Sequence, residues 1–322
     1  MEPGRIVDTT AGPALCVKVC LVGAPQGGTM LNELYHSLDP VAFSAGPITI
    51  YWYGLAYMVG ALLAGFVMYR TQKRWNIGFT PDDVMTVVIA VVFGLLIGGR
   101  LGYVLFYSNG YYFTHPLEIF FGTNGGGISG MSFHGGLAGG LLGGFIACRY
   151  LRISPLTVAD ASFVGVPLAL CLGRCANFVN GELWGKPTDL PWGVVFGGAA
   201  GNVPRHPSQL YEALLEGVVL FAILYVLSRR AKPLPQGSYL GIFVLGYGIV
   251  RFLIEFVRLP DAQLGYLAGG WLTMGQLLSL PLIAVGAALL VYAWKTRRPQ
   301  HRDWLSGNRS LVCLSGNRPI LD

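Results

Sequence analysis

Seven apolar stretches, each long enough to cross a bilayer, dominate this chain and fix its class. A hydrocarbon core of about 30 Å takes about 20 helical residues to span. The stretches are Ile48–Met68, Val84–Tyr107, Phe133–Cys148, Leu156–Val179, Gln209–Leu227, Tyr239–Phe256 and Leu272–Trp294, the third being the shortest. Composition agrees: 53% of the 322 residues are hydrophobic and only 12% are charged, whereas a soluble domain carries about 25% charged residues. So little charge cannot cover a water-facing surface. That excludes a soluble globular fold, a disordered chain and a disulfide-stapled secreted scaffold. The expected fold is an all-α integral membrane protein of seven transmembrane helices with a small extracytoplasmic head.

Loop charges predict the orientation. Arg70, Lys73 and Arg74 follow the first stretch, Arg149 and Arg152 the third, and Arg229, Arg230 and Lys232 the fifth. With Lys295 and the five arginines after it, fourteen positive residues fall on one side, against five on the other: Arg5, Lys18, Lys186, Arg205 and Arg258. By the positive-inside rule the N-terminus lies outside and the C-terminus in the cytoplasm. The domain expectation has three parts: a disordered or partly mis-assigned N-terminal extension over 1–38, a seven-helix catalytic domain over 39–296 with its head at about 180–207, and a basic cytoplasmic tail over 297–322. The first 29 residues do not read as a signal peptide, because the apolar patch Ala14–Val22 is interrupted by Lys18. They are expected to be a disordered or mis-assigned extension, with Met30 an alternative start. The tail repeats Leu-Ser-Gly-Asn-Arg at 305–309 and 314–318 and reads as solvated and non-catalytic.

Glycine spacing has a packing reading. Gly94, Gly98 and Gly102 line one face of the second stretch, and Gly135, Gly139 and Gly143 one face of the third. Small residues four apart let helix backbones approach closely within lipid. Cys148, Cys171 and Cys175 sit in apolar runs and read as packing residues, since no His or second cysteine pair accompanies them as a metal site requires.

An ionisable side chain inside a span costs at least about 2.5 kcal/mol on insertion scales and marks a candidate functional site. Arg100, Arg174 and Arg251 lie in the outer thirds of three outward-running stretches. Tyr53 and His134 open two inward-running ones, so these groups share one level near the outer headgroups. Tyr247, Arg251, Glu255 and Arg258 form one stripe along the sixth stretch, and Asn177 follows Arg174 by one turn on the fourth. Guanidinium forks bind phosphate bidentately and stay charged, so two such stripes at headgroup depth suit an anionic ligand. Arg100 reads as structural, bound to a carboxylate or to helix-end carbonyls, and Glu255 as the orienting partner of Arg251. Gln209, Tyr211 and Glu212 either line the cavity or cap the fifth helix. Trp184 and Trp192 belong either to the head or to an aromatic interface belt.

The motifs, in order, are Trp52-Tyr53-Gly54, Gly98-Gly-Arg-Leu-Gly-Tyr103, Phe133-His134-Gly-Gly136, Gly173-Arg174, Asn177-Phe-Val-Asn-Gly-Glu182-Leu-Trp-Gly185, His206-Pro-Ser-Gln-Leu-Tyr-Glu212, Gly246-Tyr-Gly248 and Arg251 with Glu255-Phe-Val-Arg258. Over roughly Asp39 to Trp294 this set resembles the prolipoprotein diacylglyceryl transferase family of the bacterial cytoplasmic (inner) membrane. The resemblance implies transfer of the diacylglyceryl group of phosphatidylglycerol to the lipobox cysteine thiol of prolipoprotein signal peptides, with release of glycerol 1-phosphate. It implies no metal, no organic cofactor and no nucleic acid partner. By motif position the family's essential arginines fall on Arg174 and Arg251 and its candidate base on His134. Tyr53, Asn177, Glu182, Gly185 and Glu255 match its other important positions, and the stripe adds Tyr247 and Arg258 as substrate-binding candidates.

Two rival classes are weaker. Gly127-Ile-Ser129-Gly130 near His134 is a short serine-protease-like string in a Gly-rich loop. A transporter would place polar groups and broken helices at the midplane, whereas here the polar groups crowd one end.

Overall fold

The structure, a computed structural model, describes residues 30–45, 48–108, 110–121, 130–260 and 265–304. The 1–29 extension, the two tail repeats and Ser129 lie outside the described residues.

Helix α1 (Met30–His36) precedes an antiparallel hairpin of β1 (Val41–Ala45) and β2 (Ile48–Tyr51), paired from Val41↔Tyr51 to Ala45↔Ile48. Then come α2 (Trp52–Arg74), α3 (Pro81–Phe106), the single turns α4 (Tyr111–Thr114) and α5 (Glu118–Phe121), α6 (Phe133–Leu151), α7 (Pro155–Phe163) and α8 (Val166–Val179). After the head, α9 (Ser208–Glu212), a π-helical stretch (Ala213–Val219) and α10 (Leu220–Ser228) run on as one rod. α11 (Ser238–Ile254), a hairpin of β3 (Tyr266–Ala268) and β4 (Leu272–Thr273), and α12 (Met274–Thr296) complete the order.

The chain is an integral membrane protein by its helices. All seven apolar stretches are helical over most of their length. Four helices are long and apolar enough to cross a membrane (α2, α3, the Ser208–Ser228 rod and α12), and the bent α7–α8 pair makes a fifth. Large apolar side chains such as Phe66, Phe93 and Leu141 point outward, about 60% exposed. That arrangement suits a lipid surrounding rather than water.

Three sequence expectations need correction. The first span begins at Trp52 rather than Ile48, because Ile48–Tyr51 pairs as a strand. The fourth span is broken: α7 and α8 meet at 49°. Pro167 cannot donate a backbone hydrogen bond in the first turn of α8, and Gly165 sits so close to α2 that a Cβ there would lie 2.9 Å from the Ala64 carbonyl oxygen. The packed domain also extends at both ends. α1 joins the head, where Leu31 and Tyr35 pack on Phe178, Val194, Phe196 and Ala200, so residues 30–38 are not a disordered extension. At the other end, residues 297–304 are docked rather than solvated. Gln300 Nε2 donates to Asp160 Oδ2 at 2.6 Å, Arg302 pairs with Asp83 at 3.1 Å, and Trp304 packs edge-on against Phe145.

Local chemistry explains the helix ends. Thr80 and Asp83 form a reciprocal capping box with Pro81 in the first turn of α3, and Thr273 with Gln276 does the same for α12. Asp160, on α7, caps α11 from outside by accepting from the Gly237 and Leu240 amides at 2.7 and 2.9 Å. The glycine stripes make the closest helix pair. A Cβ on Gly98 would stand 2.4 Å from the Gly135 carbonyl oxygen, and one on Gly139 2.1 Å from that of Gly94, so α3 and α6 touch backbone to backbone. Cys148 is buried and Cys171 half-buried, as packing residues would be, but Cys175 is exposed.

Neighbouring helices run antiparallel: Gly94 and Gly98 of α3 face Gly139 and Gly135 of α6, Gly60 of α2 faces Ala169 of α8, and Gly241 and Gly248 of α11 face Leu290 and Ile283 of α12. The head is closed by short backbone crossings. Gly185 bridges Arg258, while Pro187 and Val194 both bridge Arg205.

Candidate active site

At the head end, two arginines from different helices meet on one carboxylate. Arg174, near the end of α8, reaches Glu212 Oε2 through Nε at 3.0 Å. Arg251, in the last turn of α11, reaches Glu212 Oε1 through Nη1 at 2.6 Å. Each guanidinium has a second carboxylate: Arg174 Nη2 donates to Glu216 at 3.2 Å, and Arg251 Nη2 to Glu255 at 2.5 Å. Glu212 and Glu216 are fully buried, and the arginines keep 17% and 15% of their side chains exposed. The carboxylates therefore stand behind the arginines, which retain open edges. Among the described residues, Arg174 Nη1 and Arg251 Nε have no partner.

The stripe on α11 is real. Glu255 takes Arg251 on one side, lies 3.4 Å from Arg258 Nη1, and accepts from the Thr273 hydroxyl at 2.7 Å. Gly275 makes room for it: a Cβ there would lie 2.4 Å from the Glu255 carboxyl carbon. Tyr247 lies within electrostatic reach of Arg174, Arg251, Glu212 and Glu216. A narrow cavity beside Arg251 is lined by Glu255, Leu259, Pro260, Thr273 and Met274.

A second polar group adjoins the first one turn along α8. Asn177 Nδ2 donates to Glu182 at 2.7 Å, and Asn180 Nδ2 donates to the same oxygen at 3.3 Å. Gln209 Nε2 in turn donates to the Glu182 carbonyl at 2.5 Å. Tyr53, in the first turn of α2, contacts the Asn177 amide and bonds the Tyr57 hydroxyl at 3.0 Å. Gly185 has a different place from a ligand contact. Its amide donates to the His206 carbonyl at 2.9 Å, and a Cβ there would lie 2.6 Å from His206 Cβ and 2.7 Å from the Val257 carbonyl oxygen. It is the crossing that fixes the head on the end of α11.

Two polar residues singled out in the sequence, the candidate base and the arginine read as structural, stand apart from this cluster. His134, exposed in the first turn of α6, touches the Phe133 ring, and among the described residues no hydrogen bond or ion pair links it to the arginines. Arg100 is buried and donates to the Ile119, Glu118 and Gly130 carbonyls at 2.6, 3.0 and 3.2 Å, with its guanidinium 4.8 Å from the Tyr112 ring centroid. It ties the α3 end to the following loop, as the helix-end-carbonyl reading expects. Among the described residues no three His, Cys, Asp or Glu side chains group so as to hold a metal ion.

The sequence matches prolipoprotein diacylglyceryl transferase over residues 40–292. The chain belongs to the prolipoprotein diacylglyceryl transferase family. Three relatives named phosphatidylglycerol--prolipoprotein diacylglyceryl transferase show how near the resemblance is. The protein of Methylococcus capsulatus is 50% identical over 265 residues, covering 82% of this chain and 98% of that one. Those of Geobacter sulfurreducens and Pseudomonas paraeruginosa are each 48% identical, over 79% and 81% of this chain and 95% and 96% of theirs.

Within this transferase family frame, Glu212 was left ambiguous and Glu216 went unnoticed in the sequence. The signal was present: Glu216 is an acid inside the apolar run Ala213-Leu-Leu-Glu-Gly-Val-Val219. The rule that singled out the arginines applies to it equally.

Proposed function

We propose that this chain transfers the diacylglyceryl group of phosphatidylglycerol to the lipobox cysteine thiol of a prolipoprotein, with Arg174 and Arg251 holding the phosphate. The convergence of both guanidiniums on Glu212, with Arg174 Nη1 and Arg251 Nε left open, is the observation that carries this assignment. Two fork edges at one site suit a phosphodiester anion.

The chemistry follows the movement of charge. The cysteine sulfur, as thiolate, forms a bond to the terminal glyceryl carbon while the bond from that carbon to the phosphate oxygen breaks. The thioether product keeps both acyl chains, and glycerol 1-phosphate departs with the electron pair. Negative charge passes from sulfur to phosphate, and guanidiniums already fixed by buried carboxylates stabilise it without reorganising. A free cysteine titrates near pH 8.5, so the thiol needs a base or a positive field. His134 is the candidate base and ranks below the arginines in contribution. Tyr53, Asn177 and Glu182 are assigned to substrate positioning beside the phosphate, with Tyr247, Glu255 and Arg258 completing the wall and Gly185 holding the head in register.

The same reading makes α2, α3, α6, the α7–α8 pair, the Ser208–Ser228 rod, α11 and α12 the seven spans of one packed domain in the bacterial inner membrane. The distribution of Lys and Arg supports an outer-leaflet site and a cytoplasmic 297–322 tail. The test is a lipobox peptide incubated with the enzyme and phosphatidylglycerol vesicles. The peptide should gain the mass of one diacylglyceryl group, and replacing its cysteine by serine should abolish the gain. Unmodified cysteine peptide with folded, monodisperse enzyme overturns the assignment.

A further inference from the structure

We infer that Glu216 is a positioning residue for Arg174, holding the guanidinium so that its Nη1 edge faces the phosphate. This rests on the assignment of Arg174 to phosphate binding. Among the described residues, Glu216 pairs with one of the two site arginines: its Oε2 lies 3.2 Å from Arg174 Nη2, while its Oε1 has no hydrogen-bond partner there. With Glu212 on Nε, the two acids occupy two of the three guanidinium nitrogens and leave the third directed away from them. A fork anchored at two corners cannot rotate about its long axis, whereas a single anchor would permit that rotation.

The backbone supports this arrangement through an unusual local fold. Glu216 lies in the π-helical stretch Ala213–Val219, between the α-helical turns that carry Gln209 and Glu212 and the apolar run of α10. Short π-helical segments widen a helix locally and recur at functional sites. Gly217, the next residue, lies against α8: a Cβ there would stand 2.5 Å from Cys171 Cβ and 2.9 Å from its Cα. Cys171 is one turn before Arg174. The glycine therefore brings the rod and α8 close enough for a short glutamate side chain to span the gap. An orphaned oxygen on a fully buried acid costs free energy. Retaining it at this place is understandable if the other oxygen orients a reacting group.

The experiment compares wild type with Glu216→Ala, Glu216→Gln and Arg174→Ala in the lipobox-peptide assay, scaled to the monodisperse folded enzyme. Glu216→Ala should lower kcat/KM for phosphatidylglycerol on the order of 10- to 100-fold, the scale of a small misplacement of a binding group. The KM for peptide should stay unchanged. Glu216→Gln keeps an oxygen to accept from Nη2 and should recover to within about threefold of wild type, since a hydrogen bond of similar geometry remains. Wild-type kcat/KM in Glu216→Ala, or a Glu216→Gln enzyme impaired as severely as Glu216→Ala, overturns the inference. Should Glu216→Ala fail to fold, Glu216→Gln decides it against the same threefold mark. Arg174→Ala separates the two levels of the argument. If it stays active, the phosphate assignment of Arg174 falls; if it is dead while Glu216→Ala is normal, only the role of Glu216 falls.

Discussion

Arg251 donates to Glu212 at 2.6 Å, and the opposite oxygen of that carboxylate lies 3.0 Å from Arg174. One acid from the rod thus couples α8 to α11. Removing it leaves two partly buried guanidiniums facing each other. Glu212→Ala is expected to abolish transfer and to lower stability by about 3–5 kcal/mol, the cost of breaking a buried ion pair from one side. Glu212→Gln, which retains the shape, should lose activity with a smaller loss of stability. Thermal unfolding in detergent alongside the transfer assay separates these outcomes; an active Glu212→Ala enzyme would refute the coupling.

His134 ranks below the arginines. General-base catalysis contributes about 10²–10⁴-fold, so His134→Gln should reduce transfer by about that factor, while Arg174→Ala and Arg251→Ala abolish it. Initial rates at saturating peptide read this directly. Near-normal transfer by His134→Gln would leave the imidazole positional only.

The α3–α6 contact predicts a sharp contrast between glycines. Gly139→Ala puts a methyl 2.1 Å from the Gly94 carbonyl oxygen, a backbone atom that moves only if the helices part. The expected cost is about 1–3 kcal/mol or more, as for overpacking a tight interior. Gly54→Ala meets nothing within 4 Å and should unfold at the wild-type temperature. Equal melting of the two variants would contradict backbone contact.

The head carries a pH-sensitive tie. Trp192 Nε1 donates to the Tyr211 hydroxyl at 2.7 Å, and that hydroxyl lies 3.2 Å from His206 Nδ1. Burial lowers the His206 imidazole below its ordinary value of 6.5, so the fold favours the neutral ring. With the folded value depressed, the unfolded chain takes up the proton first as pH falls. The stability this ring contributes is therefore complete above pH 6.5 and declines below it. His206→Gln should show a shallower loss of melting temperature between pH 7 and pH 5 than wild type. Parallel profiles would remove His206 from the cause.

The sequence made the class, the helical stretches and the two arginines legible because each carries a strong local signal: long apolar runs, and charges where lipid penalises them. What escaped depends on contacts between distant segments. The β2 strand of the hairpin opens the apolar run Ile48–Met68, although its β-branched residues and the preceding Gly46-Pro47 pair are strand and turn signals. The break before α8 had a local marker in Pro167, but its cause is the approach of α2 to Gly165. The docking of Gln300 on Asp160 joins residues 140 positions apart and has no local sequence signature. Arg100 was read correctly as structural because helix-end carbonyls are always nearby; which carbonyls accept it is a matter of the loop.

Arg174, Arg251 and Arg258 face Glu212, Glu216 and Glu255, so positive and negative groups in the resting cluster balance. On the proposed reading, an incoming lipid anion meets arginines already paired with resident acids and gains only their open edges. After cleavage those same acids repel the more highly charged phosphate monoester. On the proposed reading, acids fixed behind the guanidiniums thus favour release of the spent headgroup.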